Sequence, residues 1–202
     1  MRLEKWQQDA PGGAMKTLGQ TLAAIAVETK ALGFDMASDP AVGSLLRALS
    51  GSKSGGTCLE LGTGTGLSTA WLLAGLSRDA KLVSVDNEMK FQDVARRYLG
   101  PDPRVTFCLE DAGEFIRALE PAQFDLIFAD TWAGKFSHLD KTLALLKPGG
   151  MYVVDDLLPQ ANWPTGHQST VDAFVADMAR REAIRVASLD WASGIMIATR
   201  IA

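Results

Sequence analysis

Cys58-Leu-Glu-Leu-Gly-Thr-Gly-Thr-Gly-Leu-Ser68 reads as a short buried strand, a glycine turn and the start of a helix. Glycines at 62, 64 and 66 let the chain turn sharply and let a ligand approach bare backbone. The free N–H groups that open the following helix favour an anion, a carboxylate as readily as a pyrophosphate. The dinucleotide fingerprint places its third glycine at the sixth position of the motif, which here is Leu67, so the turn fits a nicotinamide dinucleotide poorly. Asp86 ends the apolar run Leu82-Val-Ser-Val, 20 residues past Gly66. A carboxylate there is placed to accept from both hydroxyls of a ribose. Asp111, after a third apolar run, is placed either to accept from an adenine amino group or to cap a helix.

Outward from this turn, strand candidates alternate with helices. Strands are expected at 57–61, 82–86, 105–109, 124–130 and 151–155, all as continuous apolar runs that suit strands buried on both faces. Helices are expected at 68–77, 88–99, 112–119 and 137–146, the last stopped by Lys147-Pro-Gly-Gly150. Such alternation implies a parallel sheet with covered faces. The end of the chain breaks the rhythm. A helix near 169–182 leads to runs at 184–190 and 195–201, separated by too few residues for a parallel crossover, so the seventh strand must run antiparallel. Before the sheet, 15–32 and 40–49 read as helices, the second with Pro40 in its first turn.

At 202 residues the chain is expected to form one domain, with 1–50 as an N-terminal helical cap and 57–202 as the ligand-binding sheet. Hydrophobic residues at 47% and charged residues at 22% are those of an ordinary soluble globule. A net charge of −4 without a basic stripe argues against nucleic acid as a partner. No apolar run is long enough to span a bilayer, the first residues lack a signal-peptide apolar region, and a cytoplasmic setting is expected. In that setting Cys58 and Cys108, both on strands, read as free thiols.

Glu60-Leu-Gly-Thr-Gly-Thr-Gly66, Asp86, Asp111 and the reversed seventh strand together resemble a class I S-adenosylmethionine-dependent methyltransferase, from Pro40 onward. The resemblance implies a Rossmann-like α/β fold: a mostly parallel seven-stranded sheet in the order 3-2-1-4-5-7-6, helices on both faces and extra N-terminal helices. It also implies that Gly62, Gly64 and Ser68 hold the methionine carboxylate, with Glu60 near its ammonium. Thr63, Gly66, Asn87, Ala112 and Asp130 complete the cofactor set.

Phe124-Asp-Leu-Ile-Phe-Ala-Asp130 and Met151-Tyr-Val-Val-Asp-Asp156 end in acids at the sheet edge where ligands bind. Three carboxylates meeting there repel one another unless a cation or protons intervene, and a hard divalent ion such as Mg²⁺ is one remedy. This resembles the catechol and caffeoyl-CoA type O-methyltransferases. The resemblance implies metal ligation by Asp130, Asp155 and Asp156, a small-molecule hydroxyl acceptor, Met36 and Ser38 near the cofactor, and Trp132 near the adenine. Two departures stand out. Asp156 replaces the family's Asn, and the lysine expected three residues after Asp130 is Ala133, with Lys135 two residues further on. Lys135 and His167 are thus candidates, beside Asp130, for handling charge and the acceptor proton. A metal-independent transfer to another oxygen or nitrogen, and a cofactor-binding protein without catalysis, are the alternatives. The apolar helix 17–27 and Trp6 suit either a homodimer contact or a cover over the chain's own pocket.

Overall fold

The computed structural model describes residues 17–161 and 163–202. Trp6 and the first two residues of the expected first helix lie outside them. In chain order come α1 (Leu18–Ala31), α2 (Pro40–Gly51), β1 (Thr57–Leu61), α3 (Leu67–Gly75), β2 (Lys81–Asp86), α4 (Met89–Leu99) and β3 (Val105–Leu109). They are followed by α5 (Ala112–Ala118), β4 (Phe124–Ala129), α6 (Leu139–Leu145), β5 (Leu146–Val154), α7 (His167–Arg180), β6 (Ile184–Leu189) and β7 (Ile195–Arg200). The sheet has the order β3-β2-β1-β4-β5-β7-β6, parallel except where β7 pairs antiparallel with β5 and β6.

Side chains of successive strand residues point to opposite faces. On β4, Leu126 and Phe128 join the core under α1 to α4, while Ile127 and Ala129 join the core under α5 to α7. On β1, Cys58 faces the first layer, and Leu59 and Leu61 face the second. Glu60 therefore faces α3, the fact on which much of the site's chemistry turns. Cys58 is buried, which pushes its thiol up to about 12, and Cys108 is half-buried; both are free.

The N-terminal helices start as their sequence dictates. Thr17 and Gln20 form a reciprocal capping box on α1, and Asp39 caps α2 ahead of Pro40 at the first turn. Helix α1 packs on α3 and α4. Thr29 Oγ1 lies 2.8 Å from Thr65 Oγ1 in the glycine turn, and Glu28 bonds Arg97 at 2.5 Å and Tyr98 at 2.6 Å. Helix α1 thus braces the glycine turn, but none of its residues lines either cavity described below.

Three expectations need correction. Val105–Leu109 is half-exposed, because β3 is an edge strand with one neighbour. Lys147-Pro-Gly-Gly150 does not separate α6 from a strand that starts at Met151. β5 already begins at Leu146, and its pairing with β4 shifts register between Phe124 and Leu126, so the glycines are absorbed as an irregularity. The helix expected near 169–182 starts earlier: α7 begins at His167, behind Gly166 in the left-handed region.

Candidate active site

The glycine turn sits at the carboxyl edge of β1 and is held by β2. Gly62 has φ +102°, and a Cβ there would lie 2.7 Å from Thr131 Cγ2 and 2.9 Å from the Asp130 carbonyl oxygen. Only glycine satisfies both the angle and the close approach. The two oxygens of Asp86 accept from the backbone N–H of Gly64 at 2.7 Å and of Glu88 at 2.8 Å. Asp86 thus sets the loop as well as offering a carboxylate at its mouth.

A cavity of about 250 Å³ opens above this turn. Of the expected cofactor residues, Met36, Ser38, Gly62, Thr63, Gly64, Ser68, Asp86, Asn87 and Asp130 line it. Glu60, Gly66, Asp111, Ala112 and Trp132 do not. Gly66 is the residue before α3 and packs against α4 at Ala95. Asp111 caps α5, accepting from Glu114 N–H at 2.9 Å, and Ala112 is that helix's buried first residue. Trp132 lines a second cavity instead. The sequence reading missed Phe34, Phe91, Thr65 and Thr131. Phe34 and Phe91 form one wall, with ring centroids 4.6 Å apart. Phe34 opens the same short segment as Met36 and Ser38, which was the available signal.

Glu60 lies beneath the turn, fully buried. Its Oε2 accepts from Thr69 Oγ1 at 2.6 Å and Ser84 Oγ at 2.5 Å, while Oε1 has no partner. Ser84 Oγ is also 2.6 Å from Thr63 Oγ1, to which Gln92 donates at 3.2 Å. This network ties β1, β2, α3 and α4 under the loop. Burial pushes the Glu60 carboxyl up to about 7, against the hydrogen bonds from Ser84 and Thr69.

The second cavity, about 800 Å³, adjoins the first along Met36, Ala37, Ser38, Leu67, Asp130 and Thr131, which line both. Asp130, Asp155, Asp156, Lys135 and His167 all line it, so the fold brings these distant residues together. Trp132, Phe136 and Trp163 surround the His167 ring, with centroids 5.8, 5.3 and 4.5 Å away. Burial, and next the neighbouring Asp155, raise the Asp130 carboxyl to about 7, with Lys135 opposing. Asp130 keeps some exposed surface, but its carboxyl lies deep among protein atoms, and that depth governs the shift. Burial likewise raises Asp155 to about 6.

The acids do not fit a divalent ion. Asp155 Oδ1 already accepts from the Ser193 hydroxyl and from Asp156 N–H, the latter at 2.7 Å. Asp130 Oδ2 accepts from Ser38 Oγ at 3.2 Å. Asp156 has φ +60°, a left-handed kink directly after Asp155. Among the described residues no three His, Cys, Asp or Glu side chains converge as a metal-binding group. One oxygen each of Asp130 and Asp155 is thus committed to hydrogen bonds within the protein, which leaves the three acids short of a preformed divalent-ion site.

A doubly wound sheet with a reversed last strand, a glycine turn over an acid-tipped second strand and a second cavity that adjoins the first are the layout of a ligand-binding α/β domain with its site at the carboxyl edge of the sheet. The family model for a methyltransferase domain matches residues 59–157. A protein of Mycolicibacterium vanbaalenii named "Putative O-methyltransferase" is 32% identical over 160 residues, covering 76% of this chain and 69% of that protein. A Mycobacterium avium protein of the same name is 31% identical over 154 residues, and there this chain spans 64% of the relative's length. Among solved structures, the O-methyltransferase TomG of Streptomyces achromogenes in complex with S-adenosylmethionine shares the fold. Its TM-score is 0.78 at 24% identity, over 91% of this chain and 90% of that one. An O-methyltransferase from Bacillus cereus in complex with S-adenosylhomocysteine gives 0.76 at 23%, over 89% and 90%. The chain belongs to the O-methyltransferase family that the methyltransferase-domain model and the Mycolicibacterium vanbaalenii relative mark out, and it has the fold of the S-adenosylmethionine- and S-adenosylhomocysteine-bound structures.

Proposed function

We propose that this methyltransferase acts on a hydroxyl group of a small aromatic molecule bound in the larger cavity. The observation that carries this reading is the shared wall: Asp130, Ser38 and Thr131 line both cavities, so an acceptor in one meets a cofactor in the other. The rings of Trp132, Phe136, Trp163 and His167 give the acceptor side an aromatic lining suited to a planar partner. The cofactor supplies, when bound, a methyl group on a sulfonium.

The chain's own groups divide the remaining work. The amides of the glycine turn and the opening of α3 hold a carboxylate, and Asp86 faces the ribose hydroxyls. The cavity walls hold the acceptor oxygen in line with the methyl carbon, within about 3–3.5 Å. Asp130, raised toward neutrality, takes the acceptor proton. An aromatic hydroxyl near pKa 10, about the phenol value, needs such a base close by.

An amine acceptor is the second reading. Asp35, Asp39, Asp130, Asp155 and Asp156 all line the larger cavity and would attract a cation. Incubating the protein with methyl-labelled cofactor and a panel of hydroxyarenes, aliphatic alcohols and arylamines separates the two. Labelled methyl ethers of hydroxyarenes are expected; exclusive N-methylation would replace the first reading with the second, and no labelled product from any class would discard both.

A further inference from the structure

We propose that the Lys135 ammonium is the resident cation of this site, and that transfer proceeds without a divalent metal. This rests on the methyltransferase reading above and adds to it. Lys135 is 5% exposed, and its Nζ donates to the backbone carbonyl of Asp155 at 2.7 Å. It lines the same cavity as Asp130, Asp155 and Asp156, and its charge acts on Asp130 and Asp155. A buried ammonium on a carbonyl oxygen is costly unless acids nearby balance it. Here three acids otherwise left to repel one another do so.

The loop that carries Lys135 is built to aim it. Gly134 has φ +90°, and a Cβ there would sit 2.5 Å from Leu61 Cδ1. The buried Tyr152 hydroxyl donates to the Gly134 carbonyl, and Gly134 N–H donates to the Ser137 carbonyl at 2.8 Å. The N–H groups of Phe136 and Ser137 both turn back to the Trp132 carbonyl. Six residues thus form a closed turn pinned to β1 and β5, with Lys135 as its inward side chain. Ser193 and the Asp156 N–H meanwhile hold the Asp155 carboxylate, leaving that residue's carbonyl to seat the ammonium.

The chemistry balances with these groups alone. The acceptor oxygen forms a bond to the methyl carbon as the carbon–sulfur pair leaves with sulfur, and the hydroxyl proton passes to Asp130. The fixed ammonium stabilises negative charge on the oxygen during this exchange. In this role the Lys135 ammonium supplies the positive charge that a metal would otherwise bring.

Two measurements test the proposal. The first needs no acceptor: Mn²⁺ is titrated into the full chain saturated with S-adenosylhomocysteine, followed by electron paramagnetic resonance. No bound Mn²⁺ is expected at sub-millimolar concentration. One equivalent bound in a manner abolished by Asp155→Asn would overturn the proposal. The second measures methyl transfer to catechol and phenol. Turnover unchanged by a chelator is expected, with Lys135→Met lowering kcat about 10²- to 10³-fold while S-adenosylhomocysteine affinity stays within about twofold. Full activity in Lys135→Met, or activity that vanishes with chelator and returns with Mg²⁺, would overturn it. Failure of wild type to bind S-adenosylhomocysteine would instead strike the methyltransferase reading, and failure to label either acceptor its aromatic-hydroxyl part. The Mn²⁺ result stands apart from both.

Discussion

Glu60→Gln probes the carboxyl beneath the glycine turn through the pH dependence of folding. Glu60 is fully buried and raised from an ordinary 4.5 to about 7, chiefly by desolvation. A carboxyl raised in the folded state contributes stability that is complete below pH 4.5 and is lost as pH climbs through about 7. At about 1.4 kcal/mol per pH unit, the span from 4.5 to 7 amounts to roughly 3 kcal/mol, of which about 2 to 3 kcal/mol falls between pH 5 and 8. Glutamine keeps a carbonyl to accept from Thr69 and Ser84, but places an amide where Oε1 has no partner. That orphan adds a pH-independent penalty of about 1–3 kcal/mol. Urea unfolding of both proteins without cofactor, at half-unit pH steps, yields the difference in unfolding free energy. Asp130 and Asp155 titrate in both proteins and cancel in that difference. The advantage of wild type over the variant is expected to shrink by about 2 to 3 kcal/mol from pH 5 to 8. A difference flat to within about 0.5 kcal/mol would show that Glu60 is ionised in the fold or titrates near its unfolded value, and the burial argument would fail.

Asp86→Ala removes both loop-setting hydrogen bonds and the ribose-facing carboxylate, so S-adenosylhomocysteine affinity by calorimetry is expected to fall at least about tenfold, at about 1.4 kcal/mol per decade. Unchanged affinity would remove the ribose assignment. Gly62→Ala meets Thr131 and Asp130 backbone at under 3 Å in a left-handed turn, and a loss of about 1–3 kcal/mol in urea with no detectable cofactor binding is expected. Tyr152→Phe deletes the donor to the Gly134 carbonyl. Stability is expected to drop by about 1–3 kcal/mol, and turnover to fall with cofactor affinity unchanged, since the Lys135 turn loses its pin; unchanged turnover would count against a pinned turn.

The sheet was legible because its signals are local. Continuous apolar runs, glycine punctuation and the short 190–195 connection each carry their meaning within a few residues, and together they give the strands, their parallel alternation with helices and the antiparallel β7, while the strand order came with the family resemblance. What went astray was set by neighbours. β3 reads like β1 in sequence, yet its place at the edge leaves it half-exposed. Proline and glycine at 148–150 read as a stop, yet pairing with β4 absorbs them as a register shift.

The site shows the same division more sharply. Gly62, Gly64, Asp86 and Asp130 lie at strand ends, where sequence position dictates spatial position, and all four line the smaller cavity. Glu60 is only two residues from Gly62, but strand alternation turns it under the loop instead of into it. Asp111 follows a strand in the same manner as Asp86, and of the two uses its position offers the cap on α5 is present through one oxygen. The gap between Asp130 and the lysine reads in sequence as a misplaced base. In the fold, Gly134 supplies the two extra residues with a closed turn that Tyr152 pins, and the lysine reaches the acids by another route. A two-residue lengthening that would misdirect a side chain on a strand or helix can preserve its destination in a turn, provided a left-handed residue and a buried anchor come with it. Ala133, read alone, is a departure from the family pattern; Gly134 and Tyr152 set the turn that buries Lys135 against Asp155.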